Sequence, residues 1–201
     1  MNIDIKSILK NATFAIGLDP DNRLAADSTQ LNEQTTMLAL SRYGAENQIT
    51  GEIAAKFVKI SALNNATANE MLTFGASMLR DCYGKINWFV APALSGGVLD
   101  PFAKVLKAYN SSIKVLAVSS AADANTDFFP AVLPDNTDLS VIDEAVSVAA
   151  SDAQKACEDL QKTENIAVGK AAGAALYAAK ELALRLNDRH ARIVVLLPED
   201  E

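Results

Sequence analysis

A chain of 201 residues, half of them apolar and about a fifth charged, is long enough to bury a core of its own, which excludes a disordered protein and points to one compact body. A net charge of −7 with scattered lysines and arginines leaves no electrostatic footprint for nucleic acid. One histidine, His190, and two distant cysteines, Cys82 and Cys157, leave no cluster at metal-ligand spacing. No apolar run approaches the roughly 20 residues that span a bilayer, and Met1-Asn2-Ile3-Asp4 has no signal-peptide character, so the sequence reads as cytoplasmic and free of the membrane, with both cysteines expected as buried free thiols.

In chain order, residues 14–18 (Phe-Ala-Ile-Gly-Leu) read as a short strand, 19–32 as a polar loop, and about 30–43 as a helix with Gly44 at its C-terminal cap. A second short strand at 57–60 precedes a helix over 68–83 that ends on Gly84. Three strands are apolar enough to be buried on both faces: 88–91, 113–118 and 193–197. Between them the spacing predicts helices over 98–109, 151–163 and 171–187, with Ser151-Asp152 as an N-cap and 123–140, carrying Pro130 and Pro134, as a connection. The last helix sets Ala174, Ala175, Ala178, Ala179, Leu182 and Leu186 on one face, narrow enough to lie close against a sheet. Short buried strands alternating with longer helices predict an α/β protein: three layers, a mostly parallel sheet with helices on both faces.

Several segments, read in order, resemble one enzyme family. Asn64-Asn65-Ala66-Thr67-Ala68-Asn69 followed by Thr73-Phe74-Gly75 is similar to that family's Asn-Pro-Ala-Asn stretch and its Thr-Thr-Gly before a helix. Residues 86–98, ending Ala93-Leu94-Ser95-Gly96-Gly97-Val98, resemble its strand and glycine-rich phosphate turn. Val168-Gly169-Lys170-Ala171-Ala172-Gly173-Ala174-Ala175 resembles its Val-Gly-Ile-Ser-Ser-Gly-Ala-Ala, and 192–198 its final buried strand. Weaker likenesses lie at Ser7-Ile8-Leu9 with Asn11-Ala12-Thr13, and at Tyr43-Gly44-Ala45-Glu46. The family is that of the cysteine synthases (O-acetylserine sulfhydrylases), pyridoxal-phosphate (PLP) enzymes of the tryptophan-synthase-β fold, and the chain looks like a shortened, degenerate relative. The resemblance implies the large lobe of that fold over 51–201 and a reduced N-terminal, small-lobe segment over 1–50.

What the resemblance implies chemically is set by what is missing. The family's Schiff-base lysine stands in a Ser-x-Lys-Asp-Arg setting, and none of the twelve lysines here does; Lys6, Lys10, Lys56 and Lys59 read as solvated surface lysines. The Thr-Ser-Gly-Asn-Thr loop that grips the substrate carboxylate is also absent, and Asp27-Ser28-Thr29-Gln30 reads as a helix cap. Ser95, Gly96 and Gly97 form a residual phosphate turn, with Leu94 where the resemblance implies glycine and Val98 where it implies threonine. Ala171 and Ala172 replace two serines, and Asp200, in an acidic terminus, stands near a lost hydroxyl contact to the pyridine nitrogen. His190, among Asp188, Arg189 and Arg192, reads as exposed, and Ser95 has no placeable base.

The sequence therefore predicts a noncatalytic pseudoenzyme: no catalytic residue, no metal, PLP binding lost, weak anion binding at the Ser95 turn, and a homodimer or protein partner in place of a substrate. The competing reading is a divergent PLP-dependent synthase or lyase in which Lys56 or Lys170 has taken over the lost lysine.

Overall fold

The structure, a computed structural model, describes residues 37–59, 66–93, 99–121, 133–135 and 137–199. The strand expected at 14–18, the loop after it and the cap at 27–30 lie outside those residues. Along the chain come β1 (Met37–Ala39), α1 (Ser41–Glu46), β2 (Glu52–Lys59), α2 (Ala68–Asp81), β3 (Trp88–Pro92), α3 (Leu99–Tyr109) and β4 (Lys114–Ala121). A 3-10 turn (Leu139–Val141), β5 (Glu144–Ala149), α4 (Ala150–Glu164), α5 (Lys170–Leu186) and β6 (Arg192–Glu199) follow.

The strands form one sheet in the order β1-β2-β6-β3-β4-β5, parallel throughout except for the short edge strand β1. Both faces of the central strands are apolar, so successive residues enter different cores, as a parallel sheet covered on both sides requires. Phe89, Ala91, Val194 and Leu196 face α2 and α3; Val90, Ile193, Val195 and Leu197 face α4 and α5. Phe102 of α3 lies 5.3 Å from Phe74 of α2 and 6.4 Å, edge-on, from Phe89 of β3, binding both helices to the sheet. On the other side the alanine face of α5 is buried as the spacing predicts, and Gly173 brings α5 so near α4 that an added Cβ would collide with the Ala153 carbonyl and Cys157 Sγ. The three-layer α/β architecture read from the sequence is the one observed.

Local expectations fare unevenly. The helix expected over 30–43 is contradicted where the structure describes it: Met37–Ala39 are extended, because pairing with β2 satisfies backbone groups that a helix end would leave open. Gly44 then lies inside α1, and the chain leaves that helix through Asn47 and the left-handed Gln48. Strand β2 begins five residues before the predicted start, its weak strand formers Ala54, Ala55 and Lys56 enlisted by eight register pairs with β6. Gly84 does close α2, but with Tyr83 in the left-handed position before it; their amides donate to Leu79 and Arg80, a Schellman ending. Ser151 and Asp152 do not cap α4, which starts at Ala150 directly from β5 with no side-chain cap bond. Cys82 is buried as expected, whereas Cys157 is only half-buried.

Candidate functional site

Parallel strands end on one edge of a sheet, and ligands of open α/β proteins bind in the crevice outside those carboxyl ends. The sequence between β3 and α3, which carries Ser95, Gly96 and Gly97, leaves the sheet at that edge. Those three residues, with Leu94 and Val98, lie outside the described ones, so the site is built from what borders them: Ala93, whose amide donates to the Val118 carbonyl at 2.7 Å, and the first turn of α3.

That turn carries Asp100, 8% exposed and one of two buried charged residues among those described. Its Oδ2 accepts the backbone N–H of Asp138 at 2.8 Å, while Oδ1 is buried with no hydrogen-bond partner among the described residues. Asp138 in turn accepts from Ser140 at 2.6 Å and pairs with Lys104 of α3 at 3.0 Å. The hydrogen bonds of Ser140, then that of Lys104, pull its carboxyl down to about 2. Asp138 beside α3 is thus ion-paired, whereas Asp100 forms no ion pair among the described residues. Farther along, the hydroxyls of Ser119 on β4 and Ser147 on β5 share a 2.7 Å hydrogen bond.

The lysines divide differently from the sequence expectation. Lys56 is 2% exposed, which overturns its reading as a solvated lysine. Ala54, Lys56 and Val58 share one buried face of β2, a face that begins with the charged Glu52 and that no local pattern marks as buried. The ammonium lies 2.9 Å from Asp81 Oδ2 and 5.3 Å from the centroid of Phe74. Asp81 ends α2 next to Cys82, whose carbonyl accepts from Arg192, the first residue of β6; Lys56 is therefore drawn toward the amino edge of the sheet, away from the crevice. Lys59 is exposed at the far end of β2, Lys170 is exposed as the first residue of α5, and Lys6 and Lys10 lie outside the described residues.

The remaining sequence candidates stay apart. His190 is exposed in the turn before β6, its ring accepting from Arg189 Nε at 3.0 Å. The Gly169–Gly173 segment keeps a helix start without hydroxyls: Gly169 caps α5 with no side chain, and its carbonyl accepts a weak bond from Cys157 Sγ. Asp200 lies outside the described residues. Among those described, no His/Cys/Asp/Glu group is arranged to hold a metal, and no helix is long and apolar enough to cross a membrane. Sequence reasoning missed Asp100. Its signal was an acid followed by Pro101 at a helix start, ordinary for a first turn, and only the β4–β5 connection folding over it makes it buried.

A mostly parallel sheet of this order, covered by helices on both faces, defines a three-layer α/β class. Residues 26–199 match the family model described as pyridoxal-phosphate dependent enzyme, and the chain belongs to that family. It is 25% identical over 189 residues to the cysteine synthase of Buchnera aphidicola, covering 81% of this chain and 60% of that protein. To the cystathionine beta-synthase of Apis mellifera it is 30% identical over 139 residues, 60% of this chain and 27% of the relative. Among solved structures, cystathionine beta-synthase from Bacillus anthracis superposes with a TM-score of 0.53 at 25% identity, over 68% of this chain and 44% of the other. O-acetyl serine sulfhydrylase isoform 3 from Entamoeba histolytica shares the fold, with a TM-score of 0.57 at 20% identity over 70% of this chain and 44% of the other. The chain spans 60% or less of the length of these relatives.

Residues 94–98, where the resemblance implies that the cofactor's phosphate would be held, lie outside the described residues, so among those described it is Lys56 that bears on the cofactor that gives the family its name. Lys56, buried on the sheet, is held at the opposite edge.

Proposed function

We propose that this chain is a cysteine-synthase-like protein that performs no PLP chemistry and acts as a cytoplasmic, noncatalytic binding protein tied to sulfur amino-acid metabolism. The observation that carries the reading is Lys56: the buried lysine of the sheet is committed to Asp81 and Phe74 at the amino edge. The sequence agrees, since no lysine stands in a Ser-x-Lys-Asp-Arg setting.

In this reading the large-lobe fold over 51–201 is kept for surface recognition by a second copy or another protein, with 1–50 as a reduced small-lobe segment.

The test is to incubate the purified protein with excess PLP, remove free cofactor by gel filtration, and record the spectrum from the near ultraviolet into the visible. No retained chromophore is expected. A visible band that borohydride fixes onto a lysine would overturn the reading and establish the divergent enzyme, with peptide mapping distinguishing Lys170 and Lys59 from Lys56.

A further inference from the structure

We propose that the cavity between the first halves of β4 and β5 and the second half of α5 binds a free α-amino acid with an apolar side chain. The cavity measures about 230 Å³, and its wall is apolar: Leu116 of β4, Val146 of β5, and Ala178 and Leu182 of α5. The rest of its lining is charged, Glu144 at the start of β5 with Glu181 and Arg185 of α5. Leu116 and Glu144 are register partners near the starts of their strands, so the cavity lies apart from the carboxyl edge of the sheet. At about 30 Å³ per water molecule it has the volume of about eight waters. That is below the roughly 300 Å³ of sites for drug-sized ligands and suits a small molecule of about that many non-hydrogen atoms.

The charges of the lining are those of a zwitterion in reverse. Arg185 Nη2 donates to Glu144 Oε2 at 2.7 Å, and the two side chains are 55% and 36% exposed. A pair so exposed contributes little, and the guanidinium fork keeps donors for a second carboxylate. Glu181 stands one helical turn before Arg185 on the same side of α5. Its ion pair with Lys180 is long, 3.8 Å, and that ammonium also lies over the Tyr177 ring at 4.9 Å. Arg185 therefore offers the planar donors that suit a carboxylate, and Glu181 an acceptor for an ammonium one turn away. The apolar side chain of the same molecule packs on Leu116, Val146 and Leu182, and its burial supplies the attraction that exposed charges do not. A simple anion leaves Glu181 without a partner, and a simple amine leaves Arg185 without one.

The experiment titrates L-methionine into the purified protein by calorimetry, beside glycine, N-acetyl-L-methionine and L-methioninamide. Methionine is expected to bind in the millimolar range. The other three lack in turn the apolar side chain, the ammonium and the carboxylate, and each is expected to bind at least about tenfold more weakly. Arg185→Gln and Glu181→Gln alter side chains that reach solvent, so both variants should fold as the wild type does, and each should weaken methionine binding about tenfold. Methionine that gives neither heat nor a rise in the thermal midpoint overturns the proposal. So does any of the three analogues that binds as tightly as methionine, and so does either variant that keeps the wild-type affinity.

This site goes beyond the noncatalytic reading and does not depend on it. The titrations use protein washed with hydroxylamine and gel-filtered, so that no amino acid reacts with a bound aldehyde. A lysine-bound chromophore formed with PLP overturns the noncatalytic reading and leaves the amino-acid site standing, whereas methionine that fails to bind removes the site and leaves that reading as it was.

Discussion

Lys56 Nζ and Asp81 Oδ2 lie 2.9 Å apart across the interface of β2 and α2, with the lysine 2% and the aspartate 21% exposed. The asymmetry in burial decides what each substitution costs. Asp81 also accepts from Arg80 and reaches solvent, so Lys56→Met leaves a carboxylate that is still partnered and fills the space with an apolar chain. Asp81→Ala takes the carboxylate from a charge that solvent cannot reach. Asp81→Ala is expected to destabilise by about 3 kcal/mol and Lys56→Met by less than about 1 kcal/mol, read as urea midpoints at constant m-value. The reverse order would mean that the ammonium is stabilised chiefly by something other than Asp81.

Acid should weaken the fold at Asp143, whose carboxylate accepts from Lys107 at 2.6 Å, the Val115 amide at 2.8 Å and Lys114 at 3.0 Å. Burial raises this carboxyl, but the bonds of Lys107, Val115 and Lys114 together outweigh it and hold it below its ordinary range. A depressed folded value contributes stability that is complete above the unfolded value, near about 4, and is lost as pH falls through the folded one. The thermal midpoint of the wild type should therefore fall as pH drops below about 4, and Asp143→Asn should flatten that slope while lowering the plateau at neutral pH.

Gly173 is the contact point of α4 and α5, where an added methyl group meets the Ala153 carbonyl and the Cys157 sulfur. Alanine is the better helix former by about 1 kcal/mol, yet overpacking of a tight interface costs about 1–3 kcal/mol. Gly173→Ala is expected to be net destabilising by about 1–2 kcal/mol in a urea titration; a stabilised variant would show that the two helices separate freely.

The two thiols should separate by reactivity. Burial, the largest influence, pushes the Cys82 thiol up to about 11, and its sulfur is closed from solvent, while Cys157 is half-buried on α4. A thiol reagent at pH 8 should therefore modify Cys157 first and Cys82 only on unfolding, as followed by mass spectrometry of the labelled peptides. Early labelling of Cys82 would mean that the α2 end opens readily.

Much of this protein was legible in its sequence because buried parallel strands and small-residue helices leave periodic signals. Residues 88–91, 115–118 and 193–197 carry continuous apolar runs, and the alanine spacing of α5 fixes which face meets the sheet. Strand β1 was misread as helix, and β2 was placed short, since Met37–Ala39 and Ala54–Lys56 have weak strand propensity and become strands only by finding a paired edge. Lys56 and Asp100 were beyond local reading for the same physical reason. A charged side chain near an apolar run is ordinarily solvated, and nothing within a few residues says otherwise. It took Asp81 and Phe74 from α2 to enclose the lysine, and the Asp138 amide from the β4–β5 connection to enclose the aspartate. Local pattern thus determined the layers and the family likeness, whereas burial of Lys56 and Asp100 depends on elements far apart in the chain, and only the tertiary structure decided it.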